Sequence, residues 1–481
     1  MRSLSIIAML LVLAGCASRP VNPPITQANP ATGYRFEVRE AHSRSKENLV
    51  ILAFSGGGTR AAAFSYGVLE FLRQTEVAGP KGQRVRLLDG VDVITGVSGG
   101  SFTALAYGLY GDKLFTDYEK RFLKRDVQGE LLARALNPIY WGRLASGWGR
   151  SEVASQLYDE ILFEGATFGD LDRGKGPMIL ASATDISSGS RFVFTQRTFD
   201  VICSNLNAVP LSRAAAASSA VPVVLSAVTF KNYGGTCNST RPEWARPFLD
   251  STNPPRPAAR ALRSLRAEAS FGDGVRRPYL HLVDGGVSDN VGMRSVLDSL
   301  EMLEALHESG RPTPLDRVRR VIVFIVNSVS SPPTDWDASA QPPGMVDILL
   351  KAAGTPIDAF SYEAVELLKD TASRWSTLRR IRNSPAFAGN TDPAIASALR
   401  VPDAEIYAID VSFPALEDPA EVQYLNAQPT SFVLSNEAVD RLRAAAGTII
   451  RTSPEFQRLL NDLGARVVPP DGVPPTGAAP Q

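Results

Sequence analysis

Residues 49–60 read LVILAFSGGGTR and residues 91–101 read VDVITGVSGGS. Each is a short apolar run that closes on a glycine-rich turn. A helix-type stretch follows each turn: Thr59 to about Gln74, with apolar Phe64, Val68, Leu69, Phe71 and Leu72, and Gly99 to Tyr110. A short continuous apolar run bounded by glycine reads as a strand buried on both faces. Strand, turn and helix in succession are the unit of a parallel sheet covered by helices. Further strands are read at Pro177–Ile186, Arg191–Thr195, Leu280–Val283, Arg317–Asn327 and Glu405–Phe413. The fold class is therefore α/β with a mainly parallel central sheet. The chain has 481 residues, 44% of them hydrophobic and 21% charged, enough for a large packed core.

The two turns carry the candidate chemistry. Gly56, Gly57 and Gly58 expose main-chain N–H groups at a helix N-terminus, where an anion or a developing oxyanion is held. Gly56, Gly58 and Ala61 also satisfy the G-x-G-x-x-A dinucleotide fingerprint, but no acidic residue closes a second strand about 20 positions on. A Walker phosphate loop is excluded, because Gly-Lys-Ser/Thr occurs nowhere. In the second turn Gly96, Ser98 and Gly100 fit G-x-S-x-G, the form of a nucleophile elbow. A plain helix-capping serine is the alternative.

A serine nucleophile needs a base. The chain has three histidines, His42, His281 and His307. His42 precedes the first strand and His307 lies in a polar stretch. His281 sits inside the apolar run YLHLV (279–283) and reads as structural. Asp284 ends that run and is followed by Gly285 and Gly286. A carboxylate bonded directly to Ser98 can orient it and accept its proton, provided burial keeps it basic. Asp289 and Asn290 follow the glycines and either cap the next helix, the favoured reading, or help shape the site.

In order, the Gly56–Arg60 turn, the Gly96–Gly100 elbow and Asp284-Gly285-Gly286 resemble the patatin-like phospholipase family. They resemble the cytosolic phospholipase A group more distantly. The segment RAAAASSAVP (213–222) looks like the family's small-residue helix. The resemblance covers residues 47–330, with an insertion at 231–277. It implies a three-layer α/β/α patatin-like hydrolase with helical insertions, needing neither metal nor cofactor. It further implies a serine acyl hydrolase acting on phospholipid or lysophospholipid through a Ser98–Asp284 dyad. Gly56, Gly57 and Gly58 would form the oxyanion hole. There are two departures: Ser55 stands where patatins usually carry Asp, and Ala61 where a glycine often follows the basic residue. The turn is closer to the cytosolic phospholipase A form, which makes Arg60 a candidate for the substrate phosphate; the alternative is a surface or cap-bonding arginine. A non-catalytic, lipid-binding envelope lipoprotein of the same fold is the alternative function.

Residues 1–15 combine Arg2, an apolar run from Leu4 to Ala14, and Gly15 before Cys16. This resembles a bacterial lipoprotein signal and implies lipidation of Cys16 in the cell envelope. Ala17 favours the outer membrane, facing the periplasm. An ordinary signal peptide with an incidental Cys is the alternative. Residues 16–46 then read as the lipidated Cys and a flexible tether of roughly 30 Å span. Cys203 and Cys237 are the remaining thiols; in an oxidising envelope they read as a disulfide, the alternative being two separate buried thiols, and their Cα distance decides between them. Arg256, Arg260, Arg263 and Arg266 form either a basic stripe for anionic headgroups or a solvated helix face. Trp141 and Trp148 read as an interfacial wall or a packed pair. Residues 331–466 are expected to be a mainly helical extension packed on the core, and 467–481 a disordered tail. Lys+Arg and Asp+Glu both number 50, so the electrostatic footprint of a nucleic-acid binder is missing. The sequence does not specify an oligomeric state.

Overall fold

The computed structural model describes residues 21–39, 47–78, 84–138, 149–222, 224–254, 258–331, 334, 336–387 and 392–468. Cys16, Trp141, Trp148 and Arg256 lie outside the described residues.

The main sheet contains β1 (Asn48–Phe54), β2 (Val93–Val97), β3 (Met178–Asp185), β4 (Ser190–Val193), β5 (Val228–Lys231), β6 (Tyr279–Val283), β7 (Arg320–Asn327) and β8 (Glu405–Ser412). Their order is β8-β7-β1-β2-β3-β6-β5, with β4 also paired to β3. From β8 to β3 every pair is parallel. The strands β4 and β6 run antiparallel to β3, and β5 antiparallel to β6. Between β3 and β4 only Ile186–Gly189 intervene, enough for a hairpin but not for a crossover.

Nine helices matter below: α1 (Gly58–Gln74), α2 (Gly99–Tyr110), α3 (Leu211–Ser218), α4 (Ala259–Ser270), α5 (Gly286–Asp289), α6 (Arg294–Glu308), α7 (Met345–Arg382), α8 (Asn436–Thr452) and α9 (Pro454–Asp462). One group, α1, α2, α3 and α8, packs together; α4, α6 and α7 form a second group. With the sheet between them this is a three-layer α/β/α architecture. Helix α1 is buried almost all round, as expected of an apolar helix clamped between a sheet and other helices. Arg443 of α8 pairs with Glu70 of α1 at 2.7 Å.

The segment beyond residue 330 completes the core. Strand β8 pairs with β7 along its whole length, from Glu405 with Arg320 to Ser412 with Asn327. Trp375 of α7 is fully buried, and its Nε1–H donates to Glu304 of α6 at 2.9 Å.

Two expectations about the chain ends are corrected. Within the stretch read as a tether, Asn22, Tyr34 and Arg35 are buried against the body, and the Ile25 and Ala28 amides between them donate to the Cys203 and Cys237 carbonyls. Asn22 Nδ2 donates to Ser204 Oγ at 2.8 Å and to the Lys231 carbonyl at 2.9 Å. Tyr34 is fully buried, with its hydroxyl accepting from the Ile179 amide at 2.7 Å, and Arg35 pairs with Asp200 at 2.9 Å. A polar, proline-rich composition reads as linker, yet these side chains find buried partners far along the chain. At the other end the tail does not begin at Val467: Arg466–Val468 form a strand paired antiparallel to Glu76–Ala78.

Cys203 and Cys237 are bonded, with a Cα–Cα distance of 5.4 Å, inside the range for bridged pairs. On α4, Arg260 reaches Glu301 of α6 at 3.4 Å and Ser264 donates to Asp298 at 2.7 Å. Arg263 and Arg266 are exposed.

Candidate active site

Strand register brings the candidate residues together. Val97, the last residue of β2, lies level with Ser182 on β3. Because β6 is antiparallel to β3, Val283 pairs with Thr184 and the chain then runs back toward Ser182. A Cβ at Gly285 would lie 2.4 Å from the Ser182 carbonyl oxygen, so only glycine permits this approach. Asp284 is thereby delivered beside Ser98. Ser98 Oγ donates to Asp284 Oδ2 at 2.8 Å.

Ser98 occupies the bend between β2 and α2 with φ 48° and ψ −121°. A non-glycine residue there costs on the order of 1–3 kcal/mol and persists only where its surroundings hold it. The bend lifts the hydroxyl to the N-terminus of α2. Neither α1 nor α2 carries an acidic residue in its first turn, so the positive ends of both helices stay unneutralised by their own sequence. Asp284 is buried, which pushes its carboxyl up to about 6; bonds from the Gly286 amide and from Ser98 pull the other way. Gly286 N–H donates to Oδ1 at 2.7 Å, which leaves Oδ2 for the serine.

The glycine turn lies directly against this bend. A Cβ on Gly99 would sit 2.0 Å from the Gly58 carbonyl oxygen. Gly58 itself adopts φ 60°, and a Cβ there would lie 2.3 Å from the Ser431 carbonyl oxygen. The Gly57 and Gly58 amides have no hydrogen-bond partner among the described residues. Gly56 is different: its amide donates to the Asn290 carbonyl at 2.8 Å. Of the three glycines expected to form an oxyanion hole, Gly56 is therefore excluded as a donor, and Gly57 and Gly58 keep their amides without a partner among the described residues. The Thr59 amide at the start of α1 is already bonded to the Ser431 carbonyl at 2.8 Å, which leaves one donor fewer for the pyrophosphate of the dinucleotide alternative.

Arg60 is the second correction. It is 3% exposed, and burial pulls its guanidinium down to about 10. Its Nε donates to the Ser328 carbonyl at 2.7 Å, one terminal nitrogen to the Gln428 carbonyl at 2.7 Å, and the other to Thr430 Oγ1 at 3.1 Å. An arginine so engaged is a clamp on the protein's own backbone and not an open receptor for a phosphate. Ser328 works with it: its amide donates to Ser55 Oγ at 2.9 Å and its hydroxyl to the Gly56 carbonyl at 3.1 Å. The Thr59 amide donates to Ser431 O at 2.8 Å.

Of the two polar residues after Asp284, Asp289 caps α6, accepting from the Met293 and Arg294 amides at 3.2 and 2.9 Å. Asn290 instead holds the glycine turn through its carbonyl. His281 is exposed on β6 and bonds Thr229 at 3.0 Å. His307 bonds Asp316 at 2.9 Å. Sequence reading missed Ser328 and the 428–431 segment as supports of the turn, and favoured capping over site-shaping for Asn290. A polar residue immediately after an apolar strand, as Ser328 is, was the one local signal. A cavity of about 2000 Å³ is lined by Asn48, Val93 and Met178 at the starts of β1, β2 and β3, and neither Ser98 nor Asp284 lines it.

Fold and site geometry define a three-layer α/β/α protein with a serine at a strand-to-helix bend, bonded to a buried aspartate. Residues 52–297 match the family described as patatin-like phospholipase, and with just over half its length matched the chain belongs to that family. Among solved structures it is similar to human GIVD cytosolic phospholipase A2, with a TM-score of 0.44 and 14% identity over 89% of this chain and 62% of that one. The same human protein in complex with methyl gamma-linolenyl fluorophosphonate gives a TM-score of 0.39 and 15% identity, at the same coverage. The chain spans less than two thirds of that protein's length. No match was found among curated proteins.

Proposed function

We propose that the protein is a serine acyl hydrolase that cleaves carboxylic esters of phospholipids or lysophospholipids through a Ser98–Asp284 dyad. One observation carries this reading: a 2.8 Å bond from Ser98 Oγ to a buried carboxylate, made at a strained bend that abuts two amides without a partner among the described residues. In the proposed reaction Asp284 Oδ2 accepts the Ser98 proton as Oγ attacks the ester carbonyl. The charge that builds on the carbonyl oxygen meets the Gly57 and Gly58 amides and the N-terminus of α1. Losing one such donor costs about 10²–10³ in rate in comparable sites. Asp284 then passes its proton to the leaving alcohol or lysolipid. Water attacks the acyl-enzyme, Asp284 takes up the water's proton, and the fatty acid leaves as Ser98 recovers a proton.

Ser98→Ala and Asp284→Asn, assayed on a short-chain ester, should each lose about 10²–10⁴ of the wild-type rate. A fluorophosphonate reagent should label wild type and not Ser98→Ala. Substantial activity in either variant sinks the dyad; failure of wild type to label favours a lipid-binding protein without catalysis. We also propose that Cys16 is lipidated and anchors the body at the outer membrane, on the strength of the Leu13-Ala14-Gly15-Cys16 sequence. Cys16→Ser should abolish incorporation of radiolabelled palmitate; incorporation unchanged by that substitution refutes the anchor.

A further inference from the structure

We infer that Ser218 is a positioning residue for this chemistry, its hydroxyl fixing the main chain of the bend that carries Ser98. The inference rests on the reading of Ser98 as nucleophile. Ser218 ends α3 and is wholly buried. Its Oγ accepts from the Ser98 amide at 2.9 Å and donates to the Ser182 carbonyl at 2.7 Å. A hydroxyl has one proton and two lone pairs. With the proton committed to Ser182, a lone pair is left for Ser98 N–H, and both bond directions are fixed.

The same short stretch also holds the carboxylate's segment. Gly285 N–H donates to the Ser218 carbonyl at 2.9 Å, and Asp284 N–H to the Ala220 carbonyl at 3.0 Å. The end of α3 is therefore the one described place bonded to the main chain of both reacting residues. It is tied in turn to β3, whose Ser182 sits level with Val97.

The physical need is plain. As the residue preceding the first turn of α2, Ser98 has an amide with no partner inside that helix. The residue is also held at positive φ and is 5% exposed. Removing the Ser218 hydroxyl orphans that buried amide, and the bend relaxes to recover a bond. The serine oxygen then leaves its line to Asp284, and a misplacement of about 1 Å costs on the order of 10² in rate.

Ser219 supplies the control. It is equally buried on the same turn, but its hydroxyl donates to Ala215 O of its own helix at 2.8 Å. In the full chain, Ser218→Ala should lower kcat on a short-chain ester by about 10- to 100-fold with KM nearly unchanged, and slow fluorophosphonate labelling equally. Ser219→Ala should keep kcat within about twofold while losing a similar amount of Tm. Equal kcat losses in the two variants, or wild-type kcat in Ser218→Ala, would mean that the hydroxyl only packs and would overturn the inference. If Ser218→Ala does not fold, Ser218→Thr, which keeps the hydroxyl, must restore turnover; a folded but inactive Ser218→Thr refutes it. Ser98→Ala separates the two claims: should that variant stay active, the underlying reading fails and not merely the role of Ser218.

Discussion

The elbow at Gly96–Gly100 is held by Ser218 and Asp284, with Ser182 anchoring Ser218, and all three fall within the family-matched residues 52–297. The glycine turn at Gly56–Arg60 is held mainly by Ser328, Gln428, Thr430 and Ser431, all beyond that segment. Two turns of similar sequence, in direct contact, thus draw their support from different parts of the chain. The nucleophile's bend is set by the family core. The amides that would stabilise its oxyanion are set by the C-terminal part, which enters through β8 and α8. A chain reduced to the matched segment would keep the first arrangement's partners and lose most of the second's.

That contrast can be broken at Arg60. Arg60→Ala removes three bonds to the 328 and 428–430 segments and leaves the buried Ser328 carbonyl without its guanidinium donor, while the Gln428 carbonyl keeps Ser330 Oγ. It should cut kcat by about 10² through displacement of the Gly57 and Gly58 amides, while Asp284 keeps its bond to Ser98. Thr430→Ala, which removes only the bond at 3.1 Å, should cost less than about tenfold. Steady-state kinetics on the short-chain ester would check both. A wild-type kcat in Arg60→Ala would show that the turn needs no outside clamp.

Titration sharpens the other half of the comparison. Burial raises the Asp284 carboxyl to about 6 in the folded protein, so the base is absent below that pH. Activity should fall about tenfold per unit as pH drops below 6 and plateau above it. Stability runs the opposite way. The folded state binds this proton more tightly than the unfolded chain does, so the stabilisation is complete below the unfolded value and is lost as pH rises through about 6. Shifts of this size are worth roughly 3 kcal/mol. Asp284→Asn should therefore be inactive, with no such site-linked loss of Tm between pH 4 and pH 7, the window bracketed by these values. A rate profile flat through pH 6 would remove Asp284 as the base.

Much of the site was legible in the sequence. Ser98 and Asp284 could be named because each sits where an apolar run meets glycines, a signal confined to about ten neighbouring residues. Arg60 was misread for the opposite reason. Its partners lie 268 to 370 positions away, and nothing near it says whether the guanidinium faces solvent or carbonyls. The stretch from Asn22 to Arg35 failed similarly. Asn22 bonds Ser204 and Lys231, 182 and 209 residues distant, and only the fold brings them near. The antiparallel course of β6 was also invisible, since a five-residue apolar run has no direction of its own.

By itself the sequence determined the strand-turn-helix units, the serine at a tight bend and the carboxylate beside two glycines, because backbone preference and hydrophobic pattern act over a few residues. Only the tertiary structure decided that β6 returns toward Ser182, that Gly56 spends its amide on Asn290, and that Arg60 faces inward. Those outcomes depend on which surfaces are buried against each other, and burial is a property of the assembled chain.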